Sequence, residues 1–163
     1  MTSGDLPRPT RRTWLLPVAW VALCLGVGAA GGLATSSGVR DWYPTLVKPS
    51  WNPPGWVFGP VWTLLYVAMG WAAARVHLRA GSLRGARGAL GLFLAQLALN
   101  GLWSWLFFAR RDPPAALVDI VLLLVTILAT IAAFRAWDRL AAWLLVPYAA
   151  WVSFATALNW TLM

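Results

Sequence analysis

The stretch WYPTLVKPSWNPPGWVFGPVWTLLY, Trp42–Tyr66, sets Trp42, Trp51, Trp56 and Trp62 among Pro44, Pro49, Pro53, Pro54 and Pro60. Each proline removes an amide donor and pushes the preceding residue toward extended geometry, so the first half cannot be a regular helix. The second half can be one. Pro53 and Pro54 suit a first helical turn, and the residues from Gly55 onward are apolar enough to enter a bilayer. The stretch reads as a stiff interfacial loop feeding a membrane helix, with broad indole faces able to wall a pocket.

The rest of the chain repeats the apolar half. Hydrophobic residues make up 60% of the sequence and charged residues 11%, where a soluble domain carries roughly a quarter charged. The fold class is therefore an all-α integral membrane protein, a five-transmembrane-helix bundle whose first partner is the lipid bilayer. The spans are expected over residues 14–35, 54–76, 89–108, 115–137 and 142–162, with a polar tail at 1–12 and a lid loop at 36–53. Residues 13–163 then form one membrane domain. The run beginning at Trp14 exceeds the about 7–15 apolar residues of a signal-peptide core, and it is kept as the first span. Pro60 is expected to bend the start of the second span and Pro147 to kink the fifth. His77 falls in a basic turn and reads as a solvated interfacial residue.

Charge is placed where lipid headgroups would meet it. The net charge of +8 does not form a stripe on a soluble face, so no nucleic-acid partner is expected. Five spans put the termini on opposite sides of the membrane. The amino-terminal side holds Arg8, Arg11, Arg12, Arg75, Arg79, Arg84, Arg87, Arg135 and Arg139, nine of the thirteen basic residues. Positive-inside bias makes that side cytoplasmic, with the first loop and the carboxyl terminus outside.

Soluble-enzyme motifs are missing from the sequence: it has no P-loop, no dinucleotide fingerprint and no HExxH pair. Its acids, Asp5, Asp41, Asp112, Asp119 and Asp138, are scattered, so paired-carboxylate chemistry is not expected. Cys24 lies in an apolar run and reads as a small buried hydrophobe, and no metal site is expected. Asp119 lies within the fourth span and is expected to pair with Arg110 or Arg111. Transport ordinarily recruits several such groups, which weakens a transporter reading.

Aromatic and polar residues at helical spacing remain. Gln96, Asn100, Trp103, Ser104 and Phe107 share one face of the third span, and Tyr148, Trp151, Ala155, Leu158 and Asn159 share one of the fifth. The second span offers Trp62, Tyr66 and Met69. Polar groups on these faces would be costly against lipid, so the faces are expected to converge on a cavity. Trp14, Trp56, Trp105, Trp137, Trp143 and Trp160 read instead as interfacial anchors. Gly28 with Gly32, and Gly91 with Ala95, are small residues that permit close helix contact, the second pair at a homodimer interface.

Four ordered motifs carry a resemblance: KPSWNPPGWVFGPVW at Lys48–Trp62, LALNGLWSWLFF at Leu97–Phe108, ALVD ending at Asp119, and PYAAWVSFATALNW at Pro147–Trp160. The chain resembles the TspO/MBR family of tryptophan-rich sensory proteins across all five spans. The resemblance implies a dimeric five-helix bundle with no obligatory cofactor, whose lidded cavity binds porphyrins, haem or similar hydrophobic ligands. The implied ligand-binding positions are Tyr43, Trp62, Asn100, Trp103, Trp151, Ala155 and Leu158, to which the loop and the third span add Trp51 and Ser104. Light-dependent porphyrin breakdown, attributed in some bacterial members to the tryptophans, would make Trp62 and Trp151 catalytic. Ligand carboxylates could meet an indole N–H or Asn100, with Arg40 or Lys48 near the mouth. Vertebrate members carry a sterol pattern of tyrosine then a basic residue near the carboxyl end. No tyrosine or arginine follows Leu158 here, which favours tetrapyrrole over sterol and a bacterial cell membrane.

Overall fold

The computed structural model describes residues 11–163, and all regular structure among them is helical. Helices α1 (Arg11–Ser37), α2 (Gly55–Ala80), α3 (Arg87–Ser104) and α4 (Pro113–Arg135) are followed by a short α5 (Arg139–Leu144) and by α6 (Val146–Thr161). Among the described residues, five segments are long and apolar enough to cross a membrane: Trp14–Thr45, Gly55–Ala80, Arg87–Ala109, Pro113–Arg135 and Arg139–Thr161. The all-α, five-span architecture read from the sequence is the one observed.

The boundaries shift for local reasons. The first span does not stop at residue 35; it continues through a π-helical turn, Gly38–Trp42, and a 3-10 turn, Tyr43–Thr45. Pro44 is the first proline after α1, so the backbone has no earlier obligatory stop. The loop thus shrinks from 36–53 to residues 46–54. Helix α2 runs through Pro60 unbroken and ends four residues late for the expectation, at Ala80, where Gly81 adopts the left-handed conformation (φ 69°) that closes helices. Arg75, His77 and Arg79 accordingly lie in the last turns of α2, not in the turn that follows. Asp112 caps α4 by accepting from the Ala115 amide at 3.1 Å, ahead of Pro113 and Pro114 in the first turn. The fifth span is broken at Leu145, with Pro147 in the first turn of α6.

Lipid tails are as apolar as leucine, so the helices associate through close packing more than through expulsion of water. Antiparallel α1 and α2 show how. A Cβ on Gly70 would collide with the backbone of Trp20 and Val21, and one on Gly28 with the ring of Tyr66. Ala72, Ala73 and Ala74 beside Gly70 are all essentially inaccessible. Helices α3 and α4 meet through stacked Phe93 and Phe134, ring centres 5.8 Å apart. The π-helical end of α1 packs under that of α3 (Trp105–Ala109), Gly38 lying too close to the Phe108 carbonyl to admit a side chain.

Near the far ends of α2 and α4, Asp138 accepts from Arg75 at 2.8 Å and lies 3.4 Å from Arg79, while capping α5 through the Ala141 amide at 3.0 Å. Burial raises the cost of its charge, but the Arg75 hydrogen bond, the Ala141 amide and the two guanidinium charges outweigh it and hold the carboxyl below its ordinary value. Beside this cluster His77 is not merely solvated: its Nδ1 accepts from the Trp20 indole N–H at 3.1 Å. Asp119 departs further from expectation. It is buried, makes no ion pair with Arg110 or Arg111, and leaves Oδ2 without a hydrogen-bond partner. Arg110 instead lies over the Trp105 ring at 5.5 Å.

Candidate functional site

A cavity of about 1120 Å³ opens between α1, α2, the lid loop and the inner faces of α3 and α6. It is larger than the about 300–1,000 Å³ typical of small-molecule sites. Its α1 wall is made of small residues, Gly28, Ala29 and Gly32, with Thr35 and Ser36 above them. The α2 wall carries Phe58, Trp62 and Tyr66, separated by helical steps of four. Trp103 and Ser104 come from α3, Phe108 from its π-helical end, and Trp151 and Ala155 from α6.

The aromatic side chains are held by one another. Trp62 lies 5.6 Å from Tyr66 in a tilted stack and meets Tyr148 edge-on at 6.2 Å. Trp151 meets Phe58 edge-on at 5.8 Å. Trp103 stacks on Phe107 at 5.5 Å and donates its indole N–H to Asn159 Oδ1 at 3.0 Å. Behind the wall, Asn100 links two tyrosines. Its Oδ1 accepts from Tyr66 OH at 2.5 Å and its Nδ2 donates to Tyr148 OH at 3.2 Å. A side-chain amide with both ends engaged and 1% exposure fixes the rings on which Trp62 rests.

The lid is braced from within. Tyr43 donates to Asn52 Oδ1 at 2.8 Å across the loop, and Asn52 Nδ2 donates to the Pro53 carbonyl at 3.0 Å. Lys48 directs its three ammonium protons at the carbonyls of Tyr43 (2.7 Å), Leu46 (3.0 Å) and Pro44 (3.3 Å), and lies 4.8 Å over the Tyr43 ring. Prolines limiting the backbone and these side-chain bonds together brace the loop.

A model of the TspO/MBR family matches residues 10–163. The chain is 48% identical to tryptophan-rich protein TspO of Chlorobaculum tepidum, over 88% of this chain and 90% of that one. It is 43% identical to the human translocator protein, over 86% and 83%, and 39% identical to a tryptophan-rich sensory protein of Cereibacter sphaeroides, over 92% and 90%. The chain belongs to the TspO/MBR family. Membership supports a membrane receptor or sensor role, and in this TspO/MBR chain the cavity is the feature that could serve one.

Of the positions picked out in the sequence, Tyr43, Trp62, Trp103, Ser104, Trp151 and Ala155 line the cavity together. Three do not. Trp51 lies outside the wall, 47% exposed and edge-on to Phe154 at 5.6 Å. Asn100 stands one layer behind, its amide consumed by tyrosines. Leu158 lines a small void of about 20 Å³ that adjoins the cavity and shares Tyr43, Phe58, Trp103, Phe108, Trp151 and Ala155 with it. Of the carboxylate partners suggested by sequence, Trp103 N–H, Asn100 and Lys48 are engaged within this TspO/MBR protein, whereas the Trp62 and Trp151 indoles and Arg40 line the cavity without a partner among the described residues. Phe58 and Phe108 were not picked out. Phe58 stands one turn before Trp62 on the same α2 stripe, and that spacing could have found it.

Proposed function

We propose that this protein is a receptor for a flat hydrophobic tetrapyrrole, protoporphyrin IX or haem, bound among Trp62, Trp103 and Trp151 beneath the Tyr43–Asn52 lid. The observation that carries this reading is the convergence of three indoles, two phenylalanines and two tyrosines on one cavity of about 1120 Å³. A planar macrocycle offers each ring a face, and aromatic pairing adds about 0.5–1.5 kcal/mol per contact beyond area burial. The receptor sits in a bacterial cell membrane with its amino terminus cytoplasmic and the lid outside, following the arginine bias. It acts as a homodimer through the exposed α3 face at Gly91 and Ala95, which cysteine crosslinking in membranes tests.

Titration of purified protein in detergent with protoporphyrin IX tests the receptor reading. Tryptophan fluorescence should quench saturably at one porphyrin per chain. Linear, unsaturable quenching would remove the cavity from consideration.

A second reading, light- and oxygen-dependent porphyrin degradation, is favoured by one observation: Trp62 and Trp151 both face the same cavity, where a bound macrocycle would touch both. Illuminated protoporphyrin IX should then bleach to a defined product with the wild type and not with Trp151→Phe. Equal slow bleaching in both leaves the receptor reading alone.

A further inference from the structure

A hydrophobic cavity selects shape; its unspent polar groups select chemistry. On this wall the hydroxyls, one indole and one of two cations are spent. Thr35, Ser36, Thr63 and Ser104 return their hydroxyl protons to carbonyls of their own helices, at 2.7, 3.0, 2.9 and 3.3 Å. The Tyr43 and Tyr66 hydroxyls donate to Asn52 and Asn100, and the Trp103 indole to Asn159. Lys48, within the lid loop, has one carbonyl for each of its three protons. Arg110, on the same side of the bundle, lies over Trp105 and is not on the wall.

Arg40 is the charged exception, on a wall where the Trp62 and Trp151 indole N–H groups are neutral donors also left without a partner among the described residues. It lines the cavity, is exposed, and makes neither a hydrogen bond nor an ion pair among the described residues. It sits in the π-helical turn Gly38–Trp42, after the last full turn of α1, at the level where the apolar wall gives way to the lid. Its neighbour Asp41 is not on the wall and is not within ion-pair distance. A guanidinium presents five donors in a planar fork that matches an acid group two bonds at a time. Placed at the rim, it can hold an anion at the interface while the attached apolar body lies among the indoles.

We infer that Arg40 is the specificity-determining group of the cavity, and that it selects amphiphilic anions, molecules with a flat or extended apolar body ending in a carboxylate or phosphate. The inference rests on the tetrapyrrole reading for the body of the ligand, but the acid group could come from the porphyrin itself or from an anionic lipid whose tail enters the cavity. Of the cations on the wall, only this one has protons left to give.

The test compares protoporphyrin IX, a diacid, with its neutral dimethyl ester, in nanodiscs of phosphatidylcholine with and without phosphatidylglycerol. Wild type should bind the diacid about tenfold more tightly than the ester, the low end of what a hydrogen bond to a charged group contributes. Arg40→Gln should bring the ratio to one, and Arg40→Lys should keep part of it. A wild-type ratio of one, or a preference that survives Arg40→Gln, overturns the inference. Phosphatidylglycerol weakening diacid binding in wild type but not in Arg40→Gln supports it, with lipid as a competing source of the acid group. Should neither porphyrin bind wild type, the tetrapyrrole reading fails and Arg40 is judged on lipid alone. Phosphatidylglycerol retained through delipidation by wild type and lost in Arg40→Gln then supports the anion site, and equal retention overturns it.

Discussion

The two halves of the α1–α2 pair are built on opposite plans. Toward Trp20 and His77 the helices touch backbone to backbone, with Gly70 against Val21 and a run of inaccessible alanines beside it. Toward Gly32 and Gly59 they part: a Cβ added at Gly32, Gly55 or Gly59 would meet nothing within 4 Å. Glycine thus does contrary work in one pair of helices, admitting a neighbour at one end and leaving room at the other. The tight half anchors the pair, and the open half can hold a hollow because Tyr66, packed on Gly28 and bonded to Asn100, closes its floor.

The largest effect tests the tight half. Gly70→Leu forces a branched side chain into the Trp20–Val21 backbone, and overpacking of this kind costs about 1–3 kcal/mol or more. The melting temperature in detergent should fall steeply, and porphyrin binding should fall with it because the cavity floor hangs from the same helices. A Gly70→Leu protein as stable as wild type would break the contrast at its foundation. Next comes the open half. Trp62→Ala and Trp151→Ala should each weaken protoporphyrin IX by about 2 kcal/mol or more, the usual loss for a truncated aromatic anchor, with little change in melting temperature. Quenching titrations and thermal melts on the same samples separate the two outcomes.

The contrast also explains what the sequence could and could not reveal. Trp62, Trp103 and Trp151 were legible because an aromatic stripe carrying polar neighbours has nowhere good to go in lipid. That Asn100 is spent was not legible. Its partners, Tyr66 and Tyr148, lie 34 and 48 residues away, and only the fold brings three spans to one amide. The first span overruns residue 35 through a π-helical turn in which Gly38 lets the Phe108 carbonyl approach, a contact 70 residues away that local sequence does not show. That overrun matters, since it carries Arg40 from a loop onto the cavity wall. Asp119 was read as half of an ion pair by proximity in sequence, but Arg110 found the Trp105 ring instead.

A smaller effect tests the charged end of the tight half. The Asp138 carboxyl is held below its ordinary value, so the folded state binds its proton more weakly than the unfolded state does. Its contribution is fully present above the unfolded value, about pH 4, and is lost as pH falls through the lower folded one. Asp138→Asn keeps an amide able to cap α5 while removing the charge. The melting-temperature gap between wild type and Asp138→Asn should be constant from neutral pH down to about pH 4 and shrink below it. A gap that persists unchanged into stronger acid would assign the role of Asp138 to capping alone.

The smallest effect is a designed near-silence in the open half. Gly59 faces the cavity from the second turn of α2, with no atom near where a Cβ would stand. Glycine in a helix interior costs about 0.5–1 kcal/mol relative to alanine, mostly through the freedom it loses on folding. Gly59→Ala should therefore raise the melting temperature slightly and leave porphyrin affinity unchanged, since one methyl group takes little from so large a hollow. The same change at Gly70 places a methyl against Val21 and should lower stability. Opposite signs for one substitution on one helix, eleven residues apart, are what a helix pair closed at one end and open at the other requires. Equal signs would mean that the two halves are packed alike and that the hollow is not a feature of the folded protein.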